Sequence, residues 1–205
     1  MQTEPSPRKL IEDDAIQSVL DDLILVREKT QIPYVFGGGL AAKCYGRERR
    51  TKDVDIFVRP EHADRLLDAL EEVGFKTEKT DPKWLYKAQK DDVPIDIIFK
   101  SAGNIYLDDE TFRRATPIEF MGKTIPVLPV EDLMVMKSLA TEEFGPHHWF
   151  DSLGVIKAGK IDWEYLKRRA RHGPRRVLSL LFYAQSIDLP VPDRAVLDIL
   201  HTYLE

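Results

Sequence analysis

Asp53 and Asp55, which are separated by one residue, are the side chains of this sequence best suited to chemistry. The pattern over 53–58 predicts a β-strand with Val54, Ile56 and Val58 on one face, and Asp53, Asp55 and Phe57 on the other. Carboxylates on such a strand have Cα atoms about 6 to 7 Å apart and can share a pair of divalent cations. Oxygen ligands favour Mg²⁺ or Mn²⁺, so the pair predicts a metal site for displacement at phosphorus.

A third carboxylate, Asp96, lies in a second predicted strand, at 93–99. The residues at 93, 95, 97 and 99 are apolar and share one face, so Asp96 points from the other face. A buried aspartate without a partner is costly. A metal shared with the first two aspartates would explain its place among apolar neighbours.

Glycines follow a short apolar strand at 34–36 and precede a predicted helix at 40–45. A glycine turn lets the backbone approach a ligand closely, and the free N–H groups of a helix start favour phosphate. The motif is not a Walker loop, because no Gly-Lys-Ser/Thr follows at the required spacing. Gly38 and Gly39 are therefore candidate phosphate contacts.

The surrounding pattern predicts an α+β N-terminal half, 1–128, followed by a helical C-terminal half, 129–205. In the first half it predicts helices at 8–29 and 61–73 and hairpins at 84–99 and 116–128. In the second half helical periodicity predicts helices at 130–142, 149–157, 162–171, 175–187 and 192–204.

The sequence resembles the nucleotidyltransferase superfamily with the polymerase-beta-like fold, in its minimal and abortive-infection-toxin-like branches. The resemblance covers residues 32–99 well and the rest loosely. It rests on one set of motifs: Gly38 with Gly39, Tyr45 with Gly46, Arg49-x-Thr51-x-Asp53-x-Asp55, and Asp96 on a later strand.

This resemblance implies a mixed sheet flanked by helices and transfer of a nucleoside monophosphate from a nucleoside triphosphate (NTP) to an acceptor, with release of pyrophosphate. It implies that Asp53, Asp55 and Asp96 hold Mg²⁺ or Mn²⁺, with Asp96 also a candidate base for the acceptor hydroxyl. It further implies nucleotide contacts from these residues: Gly38, Gly39, Arg49, Thr51, Lys137 and Asp151.

The sequence is compatible with several alternatives. The basic residues at 47–52 suit a triphosphate as well as a surface charge run, and the basic segment 157–176 suits RNA or a solvated helix face. The acceptor is a small molecule, a tRNA 3′ end or a protein hydroxyl. A catalytically inactive binding or regulatory module, with a partner protein as in toxin–antitoxin pairs, is the alternative to an enzyme.

Composition limits the remaining function classes. The chain has 205 residues and a net charge of −5. Of its residues, 43% are hydrophobic and 32% are charged, which is typical of a globular domain with a hydrophobic core. The single cysteine, Cys44, excludes an internal disulfide framework and a thiolate-rich zinc site. No apolar run suits a membrane span and no signal peptide is recognised, so we expect a cytoplasmic protein.

Overall fold

A seven-stranded mixed sheet, with helices packed around it, carries the candidate residues. The computed structural model describes residues 13–48, 51, 53–142 and 146–204. The strands are β1 (Tyr34–Phe36), β2 (Val54–Val58), β3 (Lys76–Asp81), β4 (Leu85–Lys90), β5 (Val93–Ile98), β6 (Thr116–Phe120) and β7 (Lys123–Val127). The helices are α1 (Asp13–Thr30), α2 (Gly38–Cys44), α3 (Pro60–Glu72), α4 (Asp109–Arg114), α5 (Val130–Ala140), α6 (His147–Ala158), α7 (Trp163–Arg169), α8 (Pro174–Ser186) and α9 (Asp193–Tyr203).

The strand order is β3-β4-β5-β2-β1-β7-β6. The β2–β5 and β1–β7 pairs are parallel, and the other neighbours are antiparallel. Both β2 and β5 therefore lie in the interior of the sheet, where neighbouring strands fix their register. The predicted α+β fold with a mixed sheet and flanking helices is confirmed.

Both predicted hairpins are present, β4–β5 and β6–β7. The first turns at Asp91 (φ 51°) and Asp92 (φ 60°), and the second at Met121 (φ 50°) and Gly122 (φ 75°). Positive φ at both central residues is the requirement of the type I′ turn, whose twist matches the flanking strands. The short loops thus fix the register that brings β5 beside β2.

Element bounds agree with the predicted pattern except at a few ends. The helix predicted over 8–29 is described from Asp13 to Thr30, and its first residues lie outside the described ranges. Strand β3 and helix α4 were not predicted. In the described ranges, no helix has the length and apolar character that crossing a membrane requires.

A buried polar network fixes α5 against α7. Asp132 on α5 is 1% exposed and forms an ion pair with Arg169, which is 2% exposed. The Tyr165 hydroxyl donates to Asp132 Oδ2 at 2.6 Å, and Arg169 also pairs with Asp108, the N-cap of α4. Buried charges need such partners, because an unpaired ion in the interior is costly. The network therefore sets the position of α5.

Replacing the charge at this junction should destabilise the fold without touching the candidate site. We expect Asp132→Asn to lower the free energy of unfolding by about 2 kcal/mol, because a charge-assisted bond to Arg169 is lost. Glu164→Gln, which removes an exposed pair with Lys167, is the control and should cost under about 1 kcal/mol. Denaturant unfolding measures both, and equal losses would contradict a structural role for Asp132.

Three cations in the middle of the basic segment 157–176 form ion pairs within the fold. Arg169 is buried, Arg168 forms an ion pair with Glu110, and Lys167 pairs with Glu164. These three cations are neutralised within the fold, and the interpretation of the whole segment as an RNA-binding patch stays a prediction. The partners of Arg168 and Arg169 are distant in sequence, so the composition of the segment alone could not reveal them.

Candidate functional site

Three carboxylates from two neighbouring strands form the centre of the site. Asp53 leads into β2, Asp55 lies on β2, and Asp96 lies on β5. The parallel register places Asp55 directly beside Asp96, and adjacent strands are about 4.8 Å apart. The Thr51 hydroxyl donates to the Asp53 carbonyl at 2.8 Å and lies 3.3 Å from Asp53 Oδ1, so it restrains the start of the strand.

Charge repulsion marks Asp55 as the group that needs a counter-charge. Burial, then the charges of Asp53 and Asp96, raise the pKa of the Asp55 carboxyl to about 7. The Lys137 ammonium and the Gly39 N–H act in the opposite direction but do not cancel this effect. A cation bound at the carboxylates would relieve the same repulsion.

The glycine turn after β1 approaches Asp55 more closely than any other residue type allows. Gly38 has φ +54°, and a Cβ built there would lie 1.6 Å from Asp55 Oδ2. The Gly39 N–H donates to that oxygen at 3.4 Å, and the Gly37 N–H donates to the Asp55 carbonyl at 2.9 Å. Gly37 itself packs on Phe57, whose Cε2 would lie 2.1 Å from a Cβ at that position.

The donor set suits a hard divalent cation by its chemistry, since it supplies carboxylate oxygens with excess negative charge. Within the described ranges, no three His, Cys, Asp or Glu side chains form a ready-made cage. Lys87, opposite Asp96 on β4, lies 3.8 Å from its Oδ1. The three aspartates therefore fit a metal in charge and ligand type.

A buried ion pair on the helical side faces the carboxylates. Lys137 Nζ on α5 contacts Asp151 Oδ2 on α6 at 2.8 Å, and the two residues are 5% and 1% exposed. Arg47 Nε lies 3.8 Å from Asp151 Oδ1, and the Arg47 stem packs on Gly154. The structure therefore brings Lys137 and Asp151 together and places the Lys137 ammonium near Asp55. Arg49 lies outside the described residues.

A cleft of about 730 Å³ opens over these groups. It is lined by Gly38, Gly39, the three aspartates and Lys137, and it extends to Trp84 and the loop at 100–104. Trp84 and Lys100 were missed by the sequence analysis. Lys100 continues the period-two pattern through Asp96 and Ile98 and could have been found from it, whereas no sequence signal points to Trp84.

The raised pKa of Asp55 makes the free energy of unfolding depend on pH. The folded protein holds a proton on Asp55 up to about pH 7, whereas an unfolded chain releases it near 3.8. The contribution of this group to stability is therefore complete below about pH 4 and is lost as pH rises through 7. Asn at position 55 carries no charge at any pH, so its contribution to stability does not fall as pH rises through 7.

We expect Asp55→Asn to stabilise the metal-free protein at pH 8 by about 2 kcal/mol. The gain should shrink as pH falls from 7 to 4, because wild-type Asp55 is then protonated in the folded state. Denaturant unfolding in a chelator at several pH values measures it. Exposed Asp68→Asn should show no such pH-dependent gain. A gain independent of pH would contradict the electrostatic explanation.

The fold is similar to solved structures of nucleotidyltransferases. The antibiotic-resistance factor ANT(2'')-Ia aligns over 93% of this chain and 99% of its own, with 17% identity and a TM-score of 0.57. An antigenic nucleotidyltransferase-like protein from Paracoccidioides brasiliensis aligns over 92% and 94% of the two chains, with 16% identity and a TM-score of 0.58. The lincomycin-bound lincosamide antibiotic adenylyltransferase LnuA aligns over 73% and 99%, with 18% identity and a TM-score of 0.53.

Fold and site together define a protein of the nucleotidyltransferase superfamily. The sequence profile of a family described as "Nucleotidyl transferase of unknown function" matches residues 15–178, and the chain belongs to that family. No curated protein matches the chain. The superfamily resemblance stated from the motifs is thus confirmed.

Proposed function

We propose that this protein transfers a nucleoside monophosphate from an NTP to a hydroxyl acceptor and releases pyrophosphate. One observation carries the proposal: Asp55 and Asp96 lie side by side on parallel strands, next to Asp53 and against the glycine turn at Gly38. The arrangement concentrates negative charge at the floor of a cleft large enough for a nucleotide.

Asp53, Asp55 and Asp96 would hold Mg²⁺ or Mn²⁺. When bound, the metal neutralises phosphate oxygens and stabilises the charge that develops at phosphorus. The acceptor oxygen forms a bond to the α-phosphorus while the bond from that phosphorus to the β-phosphate oxygen breaks. The Asp96 carboxylate takes the hydroxyl proton, and pyrophosphate leaves with the electron pair.

The glycine turn gives the triphosphate close access to the backbone. Gly38 and Gly39 carry no Cβ, so phosphate oxygens can approach the backbone of the turn beside Asp55, to which the Gly39 N–H donates. Thr51 restrains Asp53 through its hydroxyl, and we assign it and Arg49 to the nucleotide site on the motif. These roles follow from position and residue type.

Lys137 contributes the positive charge on the helical side of the site. Its ammonium acts on the Asp55 carboxylate and is anchored by Asp151. An ammonium fixed by a buried partner is pre-organised to meet a phosphate oxygen, so little entropy is lost on binding. Asp151 acts through Lys137 and is a positioning residue.

Release of pyrophosphate tests the proposal. The protein is incubated with each of the four NTPs and with pooled tRNA, a protein mixture or an aminoglycoside, with Mg²⁺ and with chelator. We expect Mg²⁺-dependent release with one acceptor class, slowed at least about 100-fold by Asp96→Asn because the base is lost. Release that persists in chelator, or is unaffected by Asp96→Asn, would contradict the assignment.

A further inference from the structure

The cleft continues beyond the carboxylates, away from the glycine turn. The strand order places Asp55 and Asp96 between that turn, which follows β1, and strand β4. Along β5 the face that carries Asp96 continues to Ile98, and Lys100, two residues beyond the end of the strand, also lines the cleft. The carbonyl of Trp84, just before β4, accepts the N–H of Phe99 at 3.0 Å, so Trp84 lies beside this end of β5. We name Trp84, Ile98, Lys100, Ser101 and Asn104 the distal subsite.

Trp84 supplies a fixed aromatic surface to the distal subsite. It lines the cleft and is 40% exposed, whereas its indole N–H donates to Asp81 Oδ2 at 3.0 Å. The other oxygen of Asp81 accepts the backbone N–H of Lys83 at 2.9 Å, so the carboxylate that orients the ring is itself held. A ring oriented in this way is suited to stack on a flat ligand.

Lys100 supplies a cation that the described fold does not neutralise. It is half-buried in the cleft wall and has no ion pair with any described residue. Lys137, the other lysine of the cleft, is bound to Asp151. Ser101 and Asn104 add hydroxyl and amide donors beside Lys100, so the distal subsite combines an aromatic ring with donors suited to an anion.

We infer that the acceptor is a nucleotide, with its base on Trp84, a phosphate on Lys100 and a ribose hydroxyl directed to Asp96. This inference rests on the proposed function. The triphosphate at the glycine turn and the acceptor beyond Asp96 then lie on opposite sides of the carboxylates, as an in-line displacement requires. A polycationic acceptor would instead be repelled by the Lys100 ammonium, which forms no ion pair with a carboxylate of the described residues.

The transfer step extends the acceptor by one nucleotide. The ribose oxygen forms a phosphodiester bond to the α-phosphorus, its proton passes to Asp96, and pyrophosphate carries away the electrons of the broken bond. A free nucleotide and the 3′ end of an RNA present the same base, ribose and phosphate, so both are sources of this chemistry.

Binding to the loaded enzyme tests the inference separately from NTP binding. The protein is first saturated with Mg²⁺ and the α,β-methylene analogue of the NTP that binds best. It is then titrated calorimetrically with the trinucleotide CpCpA, adenosine 5′-monophosphate, adenosine or tobramycin. We expect both nucleotides to bind, and adenosine and tobramycin to bind at least about tenfold more weakly. Tighter binding of CpCpA than of the mononucleotide identifies an RNA end as the source, and equal binding identifies a free nucleotide.

Variants then assign the contacts. Trp84→Ala should weaken nucleotide binding about tenfold or more, and Trp84→Phe should restore most of it, because stacking tolerates another aromatic ring. Lys100→Ala should also reduce the slope of log K for nucleotide binding against log salt concentration by about one, the value expected for one lost phosphate contact. Trp163→Phe and Lys160→Ala, outside the cleft, are matched controls and should change neither quantity.

Two results would overturn the inference while leaving the proposed function intact. In the first, the NTP analogue binds but the loaded enzyme binds neither CpCpA nor adenosine 5′-monophosphate, or it binds tobramycin more tightly than both. In the second, the nucleotides bind, but neither Trp84→Ala nor Lys100→Ala changes their affinity. Failure of every NTP to bind in the first step would instead reject the proposed function itself.

Discussion

Gly38→Ala should reduce pyrophosphate release about 1000-fold, the loss typical for removal of essential electrostatic stabilisation. The added Cβ would lie 1.6 Å from Asp55 Oδ2, so either this carboxylate or the turn has to move. Asp55 lies between Asp53 and Asp96 in the proposed metal site, so its displacement would remove a proposed metal ligand and narrow the proposed path of the triphosphate. Initial rates with Mg²⁺ and the preferred NTP measure the effect.

Gly122→Ala is the matched control for Gly38→Ala. Gly122 also has positive φ, +75°, but a Cβ there meets nothing within 4 Å. Both variants carry a backbone cost of about 1 to 2 kcal/mol, so a comparison at equal folded fraction isolates the effect at Asp55. Full activity in Gly38→Ala, or equal losses in both variants, would contradict the close approach of turn and carboxylate.

Lys137→Met should lower the free energy of unfolding by about 3 to 5 kcal/mol, because it leaves the buried Asp151 carboxylate without its ammonium partner. It should also weaken NTP binding at least about tenfold, because the proposed charge-assisted contact of Lys137 with a phosphate would be lost. Denaturant unfolding and NTP titration on the same preparation measure the two effects.

A double variant separates these two roles of Lys137. Lys137→Met combined with Asp151→Asn removes both charges, and we expect it to recover most of the lost stability. NTP affinity should stay low, because no cation returns to the cleft. Recovery of NTP affinity together with stability would show that Lys137 acts only through the fold.

The centre of the site could be predicted because its signals are local. Asp53 and Asp55 share a face through the period of a strand, and Gly38 stands at the strand-to-helix turn that such a site needs. Asp96 could be found because an aspartate in an apolar strand calls for a counter-charge. The register that places it beside Asp55 depends on strand pairing and was not predicted.

The features that the sequence did not reveal depend on contacts between distant segments. Strand β3 has six residues, mostly polar and exposed, and forms through pairing with β4 and not through an apolar pattern of its own. Arg169 reads as part of a basic run, yet Asp132 and Asp108 from other elements bury and neutralise it. Trp84 reaches the cleft through contacts with other segments, since its carbonyl accepts the N–H of Phe99 beyond β5. The division of the chain at residue 128 stays a prediction.

Calorimetric titration of the four NTPs, with Mg²⁺ and with chelator, tests the central claim most directly. Wild type is compared with Asp53→Asn combined with Asp55→Asn, after unfolding curves confirm that the variant is folded. We expect Mg²⁺-dependent binding of at least one NTP to wild type and its loss in the double variant. NTP binding that is unchanged in the double variant, or that needs no divalent metal, would contradict the claim that these aspartates form the nucleotide site.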